Sequence, residues 1–138
     1  MDTDPRTGLE VLDEDTCWEL LAKEPIGRLV AIIDGRIELF PINYAVDDRA
    51  VFVRTAPGTK LAALGGEVVF EADDASWMMR SGWSVIVWGR LAAVTDTDEL
   101  ARAHELPLRP WSDTAKPLFL RLDAERITGR RIPPPEFD

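Results

Sequence analysis

The chain has 138 residues and a mass of 15.4 kDa, 46% apolar and 30% charged, which suits one compact core and excludes wholesale disorder or a fibrous architecture. A net charge of −9, with basic residues spread along the chain, opposes general attraction to nucleic-acid backbones, so any phosphate must be caught locally. The longest apolar runs, Leu29 to Ile33 and Val85 to Trp88, are strand-length and far short of the roughly 20 residues that span a bilayer.

The N-terminus lacks the cationic flank and apolar stretch of a secretory signal, and the single Cys17 has no partner for an internal disulfide. Both observations predict a cytoplasmic protein without a membrane segment.

Residues 1–14 read as a flexible polar lead-in. Thr16 to Glu19 fits a capping box opening a first helix, which Pro25 ends. Arg28 to Ile33 then reads as a strand. Asp34-Gly35 marks a two-residue hairpin turn into a strand from Arg36 to about Val46, and Asp47-Asp48-Arg49 turns into a third strand, Ala50 to Arg54. Thr59 to Leu64 predicts a helix of one to two turns capped by Thr59 and stopped by Gly65-Gly66.

Glu67 to Asp73 and Trp83 to Val94 are further strands, the second with Gly89 marking a bulge or bend. Asp96 to Glu99 predicts a second capping box and a helix that Pro107 closes. Leu118 to Asp123 is the last strand, followed by a basic turn at Ile127 to Ile132 and an extended tail, 133–138. Six strands with short hairpins and few helices predict a mainly β (α+β) protein whose antiparallel sheet is closed or partly closed, not a Rossmann unit.

The most informative stretch runs from Val51 to Leu61. It places Arg54 and Thr55 at a strand end, then a Pro-Gly turn, then Thr59 and Lys60 on the opening turn of a helix. Guanidinium, ammonium, hydroxyls and free backbone N–H groups together can satisfy a phosphate dianion. On spacing alone the same residues fit solvent-facing cations and an ordinary cap equally well.

Gly27-Arg28-Leu29, Phe40 to Tyr44, Phe52 to Leu61, Phe70 to Asp73 and Gly82 to Arg90 occur in an order and spacing that resembles the pyridoxamine 5′-phosphate oxidase-like flavin-binding superfamily, in its short nitroreductase-like branch. The resemblance covers 15–132. It implies a six-stranded antiparallel split β-barrel with short flanking helices, working as a homodimer with two cofactor sites in the grooves between subunits. It implies FMN as cofactor, or the deazaflavin F420 in an equivalent groove.

By the same resemblance, Arg54, Thr55, Thr59 and Lys60 contact the cofactor phosphate. Pro41, Ile42 and Asn43 line the isoalloxazine ring, and Trp83 and Ser84 border it from the partner subunit. Asn43 interrupts an apolar strand and needs a polar partner, which a flavin edge or a neighbouring loop could supply. Trp83 suits ring stacking or packing alike, and Trp18, Trp77 and Trp88 are assigned to packing. The match departs from the branch after Pro110-Trp111, on the substrate side.

Glu71 and Asp73 share a strand face but read as solvated carboxylates. The only histidine, His104, is expected to be exposed on a helix, so neither a histidine-based triad nor a haem ligand is expected. Cys17 is expected to pack. The resemblance implies an oxidoreductase that moves hydride or electrons between a reduced nicotinamide or flavin donor and a small acceptor as the leading expectation, with a non-catalytic flavin-binding, storage or sensing protein as the alternative.

Overall fold

Asp34 and Gly35 both take positive φ, 52° and 76°, the conformation that a two-residue hairpin turn requires and that Asp and Gly tolerate. In the computed structural model this turn joins β2 (Ile26–Ile33) to β3 (Arg36–Asp47), and a second left-handed pair, Asp48 and Arg49, joins β3 to β4 (Ala50–Thr55). The structure describes residues 2–108 and 118–135, the side chains of Thr59 and Leu61 excepted. The expected departure after Pro110-Trp111 lies outside that range.

A 3-10 turn, Thr59–Ala63, leads to β5 (Glu67–Ser76), which pairs with β6 (Ser81–Ala93); β7 (Leu118–Ile132) completes the sheet. Pairings β2–β3, β3–β4, β4–β7, β7–β6, β6–β5 and β5–β2 join six antiparallel strands in a closed ring, the mainly β fold class expected. A ring leaves fewer unpaired edges than an open sheet.

Strand alternation turns Leu29, Ala31, Tyr44, Val51, Val53, Val68, Phe70, Val85, Val87, Leu120 and Leu122 into the ring. Helix α1 (Glu14–Leu21) adds Cys17, Trp18 and Leu21 to the same core. The Tyr44 hydroxyl donates to the Leu21 carbonyl at 2.6 Å, and its ring meets Phe70 edge-on at 4.7 Å, so the end of α1 is tied to the strand that leads to the candidate site. Burial pushes the Cys17 thiol up to about 11, which keeps it neutral and suits packing. On the outside, Ala45, Ala50, Phe52 and Phe119 form a second cluster with Ala103 of α2 (Thr97–Glu105), Val94 and Leu108.

Several local expectations change. Asp13, not Thr16, caps α1, its carboxylate accepting from Thr16 N at 2.8 Å. The N-terminal lead-in contains a strand, β1 (Glu10–Leu12), paired with Gly129–Arg131, with Asp4 and Glu10 salt-bridged to Arg130 and Arg131. The pairing of β1 and β6 with β7 carries that last strand through the expected basic turn to Ile132. Trp77 is not packed. At 96% exposed, it sits with Met78 at the tip of the β5–β6 hairpin.

Candidate functional site

Strand β3 is longer than its neighbour on one side. Arg36 to Asn43 pair with β2, whereas β4 takes up only Tyr44 to Asp47. Among the described residues, no strand pairs with the other edge of β3 between Arg36 and Asn43, and the ring is split there. Pro41 lies in this stretch, where its missing N–H costs no ladder bond. The chain runs on from the end of β4 into the 3-10 turn, where Lys60 comes back over Phe40 of this stretch.

Arg54 and Thr55 are successive strand residues and point to opposite faces. Arg54 stands on the outer face, its guanidinium 5.0 Å from the centre of the Phe119 ring. Thr55 points inward, only 3% exposed, and its hydroxyl donates to the Ala56 carbonyl at 3.1 Å. Lys60 lies with its ammonium 5.0 Å above the Phe40 ring. The Thr59 side chain lies outside the described residues. The expected helix at this point is a 3-10 turn of five residues, so its backbone dipole adds little and the cations carry the attraction for an anion.

Pro41 is exposed, Ile42 is buried toward the core, and Asn43 is half-buried on the outer face with its amide donating to the Pro25 carbonyl at 3.4 Å. Asn43 and Arg54 line one cleft of about 540 Å³, closed on its far side by Pro25 and by His104 to Leu108 at the end of α2. Trp83 turns inward and packs against the core, whereas Ser84, opposite Asp73, turns outward. The structure therefore groups Asn43 and Arg54 in one cleft, sets Lys60 over Phe40, turns Thr55 inward, and separates Trp83 from Ser84.

Two contributors carry no signal in the sequence. His104 is exposed, as expected, but its ring meets Phe119 edge-on at 4.8 Å, so α2 borders the cleft. Phe119 lies 65 positions from Arg54, and no local pattern links them.

Further along the same outer face, Arg28 bridges the two carboxylates expected to be merely solvated, with Nη2 2.5 Å from Glu71 Oε1 and 2.7 Å from Asp73 Oδ2. Burial holds the Glu71 carboxyl above its ordinary value, and hydrogen bonding from Glu71 lowers that of Asp73, so of the two Glu71 is the first to take up a proton as pH falls. Glu24 is raised as well, by burial and by Asp74 and Asp73.

Arg28→Gln removes the cation and raises Glu71 further. A folded-state carboxyl pKa above the unfolded value binds extra protons in the native state, so stability then increases as pH falls. The variant is expected to be less stable than the parent at pH 7 and to recover part of the difference near pH 5, measured by urea unfolding at both values.

A sequence model of the pyridoxamine 5′-phosphate oxidase family matches residues 13–131. The chain belongs to that family. Among its relatives, a FAD-binding protein from Mycobacterium smegmatis is 42% identical, with 89% of this chain and 99% of that one covered and a TM-score of 0.79. A conserved protein of unknown function from Corynebacterium diphtheriae is 34% identical over 92% and 98% of the two chains, TM-score 0.75. An uncharacterized protein of Mycobacterium tuberculosis is 35% identical over 137 residues, 93% of this chain and 90% of its own. A flavocytochrome from Azotobacter vinelandii, 17% identical with a TM-score of 0.69, shares the fold. Among the described residues no helix is long and apolar enough to cross a membrane.

Proposed function

We propose that the protein is a cytoplasmic homodimeric flavoprotein and a flavin-dependent oxidoreductase. The observation that carries the reading is the split in the ring, where an edge of β3 that pairs with no strand among the described residues has Arg54 on the outer face beyond it and Lys60 over Phe40. An open strand edge offers backbone groups to the edge of a planar heterocycle, and the two cations suit the phosphate at its tail. Pro41 and Asn43 stand on the exposed side of that edge, where a ring would lie.

FMN is the simplest ligand for this arrangement, and FAD contains the same half. The 42% identical relative, named as a FAD-binding protein, supports FAD. When bound, the flavin supplies the hydride and electron chemistry, and the chain binds, orients and shields it. Arg54 and Lys60 would supply charge toward the phosphate, and Asn43, which shares a cleft with Arg54, would supply an amide toward the ring.

Mass spectrometry of the chromophore that copurifies, with titrations of FMN, FAD and F420, tests the cofactor. Reduction of the bound flavin by NADH or NADPH and its reoxidation by a quinone or nitroaromatic tests turnover. Binding without reduction would favour the storage or sensing alternative, and failure to bind any of the three would remove the reading altogether.

The homodimer is supported by the same outer face. Beyond Pro41, alternation brings Leu39 and Ile37 outward beside Val30 and Ile32 of β2, and the three largest exposures there are 57% for Leu39, 77% for Ile37 and 68% for Ile32. Val30, Ile32 and Ile37 border, with Val69 and Trp88, an apolar depression of about 310 Å³. A contiguous exposed apolar band of this kind marks an association surface. It runs directly into the candidate groove, so a second copy seated on it would place a partner surface beside the flavin. Ile37→Asp is expected to convert the dimer to monomer in light scattering. A parent protein that is already monomeric, or a variant that stays dimeric, would remove this part of the reading.

A further inference from the structure

Given the flavin site proposed above, on which this reading rests, we infer that the end of α2 receives the adenosine half of FAD, with His104 as the ring that the adenine meets. The cleft of about 540 Å³ has two unlike walls. Asn43 and Arg54 form the wall on the sheet, beside the edge of β3 where the flavin ring would lie. His104, Glu105, Leu106 and Pro107 form the wall at the end of α2. A cleft of this size holds a whole organic ligand, and a flavin ring lying along β3 covers only the first wall.

The α2 wall suits a neutral group that donates hydrogen bonds. The Ala103 carbonyl accepts from Leu106 N at 3.1 Å, but the last carbonyls of a helix otherwise have no partner within it, and its dipole is negative there. Glu105 adds a carboxylate to the same wall. Arg102, the nearby cation of that turn, is engaged with Asp47 at 2.6 Å and does not line the cleft. Such a wall repels a phosphate and matches the amino group of adenine and the hydroxyls of its ribose, while Leu106 and Pro107 offer apolar surface to the base. FMN ends at its phosphate and carries nothing beyond it to fill this wall.

His104 is exposed, with its ring edge-on to Phe119 at 4.8 Å, and Phe119 is itself only 3% exposed. The imidazole thus stands on a fixed base with open surface for a second ring, and nucleobases stack on imidazole as on other aromatic side chains. Arg54 meets the same Phe119 ring at 5.0 Å, so one buried side chain sets the distance between the two walls.

The test uses the full chain, untagged and stripped of flavin, titrated with FMN and with FAD. FAD is expected to bind more tightly than FMN, and His104→Ala to lower FAD affinity roughly 5-fold or more while leaving FMN affinity unchanged. The chain has a single histidine, so its imidazole proton resonances are assigned without ambiguity. FAD is expected to shift them through the ring current of the adenine and FMN to leave them in place, a difference that a merely structural role for His104 would not produce. Equal affinity of the parent for the two flavins, equal loss of both in the variant, or an imidazole unmoved by FAD would overturn the inference while leaving the flavin site standing. So would an imidazole moved by NADH in the FMN-loaded protein but not by FAD, which would give this wall to the adenosine of the nicotinamide donor. A parent protein that binds neither flavin would overturn both.

Discussion

Replacing Arg54 and Lys60 together by alanine is expected to weaken flavin binding by about a hundredfold or more. A hydrogen bond to a charged group contributes about 1.5–3 kcal/mol, and two such bonds lost from one anion exceed the 2.7 kcal/mol or so that a hundredfold represents. The loss should shrink as salt rises, because both side chains are partly open to solvent and screened. Neither residue belongs to either buried cluster, so the fold should be retained, with an unchanged circular-dichroism spectrum and urea midpoint. Fluorescence titration with FMN at two ionic strengths measures the effect. Parental affinity in the double variant would remove the split in the ring as the place where phosphate binds.

Gly89→Ala is expected to cost about 3 kcal/mol of stability or more, the upper part of the range for a group forced into a packed interior. A Cβ on Gly89 would stand 2.0 Å from the carbonyl oxygen of Asp123 and 2.9 Å from its carbonyl carbon. Neither is a flexible side chain that can swing aside. The position lies at the register shift between Trp88 and Gly89, where Trp88 faces Arg126 and Gly89 faces Ala124, leaving Glu125 as the extra residue on β7. Relief of the clash would require β6 and β7 to part at the pairing that closes the ring. Urea unfolding with the slope held as a check on two-state behaviour reads the loss. A midpoint equal to the parent's would mean that the two strands do not approach so closely.

Features specified by neighbouring residues are legible in the sequence. Asp34-Gly35 makes its turn through the backbone preferences of two adjacent residues, and Asp96 caps α2 by accepting from Glu99 N at 3.0 Å, three positions away. Gly89 is recognisable as a bulge or bend because a glycine inside an apolar strand seldom has another purpose. The family resemblance points to Arg54, Lys60 and Asn43 because their order along the chain is itself a signal.

Other features depend on which strands become neighbours. Leu29 to Ile33 reads as one continuous apolar run, yet Ile32 is 68% exposed while Ile33 is 6% exposed, because the pleat sends alternate residues to opposite faces and only one is covered in the single chain. Glu71 and Asp73 read as solvated until β2 places Arg28 between them, 43 positions away from Glu71. Arg54 and Thr55 read as one anchoring pair, and the same pleat divides them, burying the Thr55 hydroxyl against its own chain.

The amino-acid sequence by itself determined the turns, the α2 cap, the number of ring strands and the family, since each rests on local backbone preference or on residue order. Only the tertiary structure decided which stretch of β3 is left without a described partner strand, and that Arg54 meets Phe119 and Lys60 meets Phe40. Those relations are set by strand register and by contacts between distant segments, and closure of the sheet creates both at once.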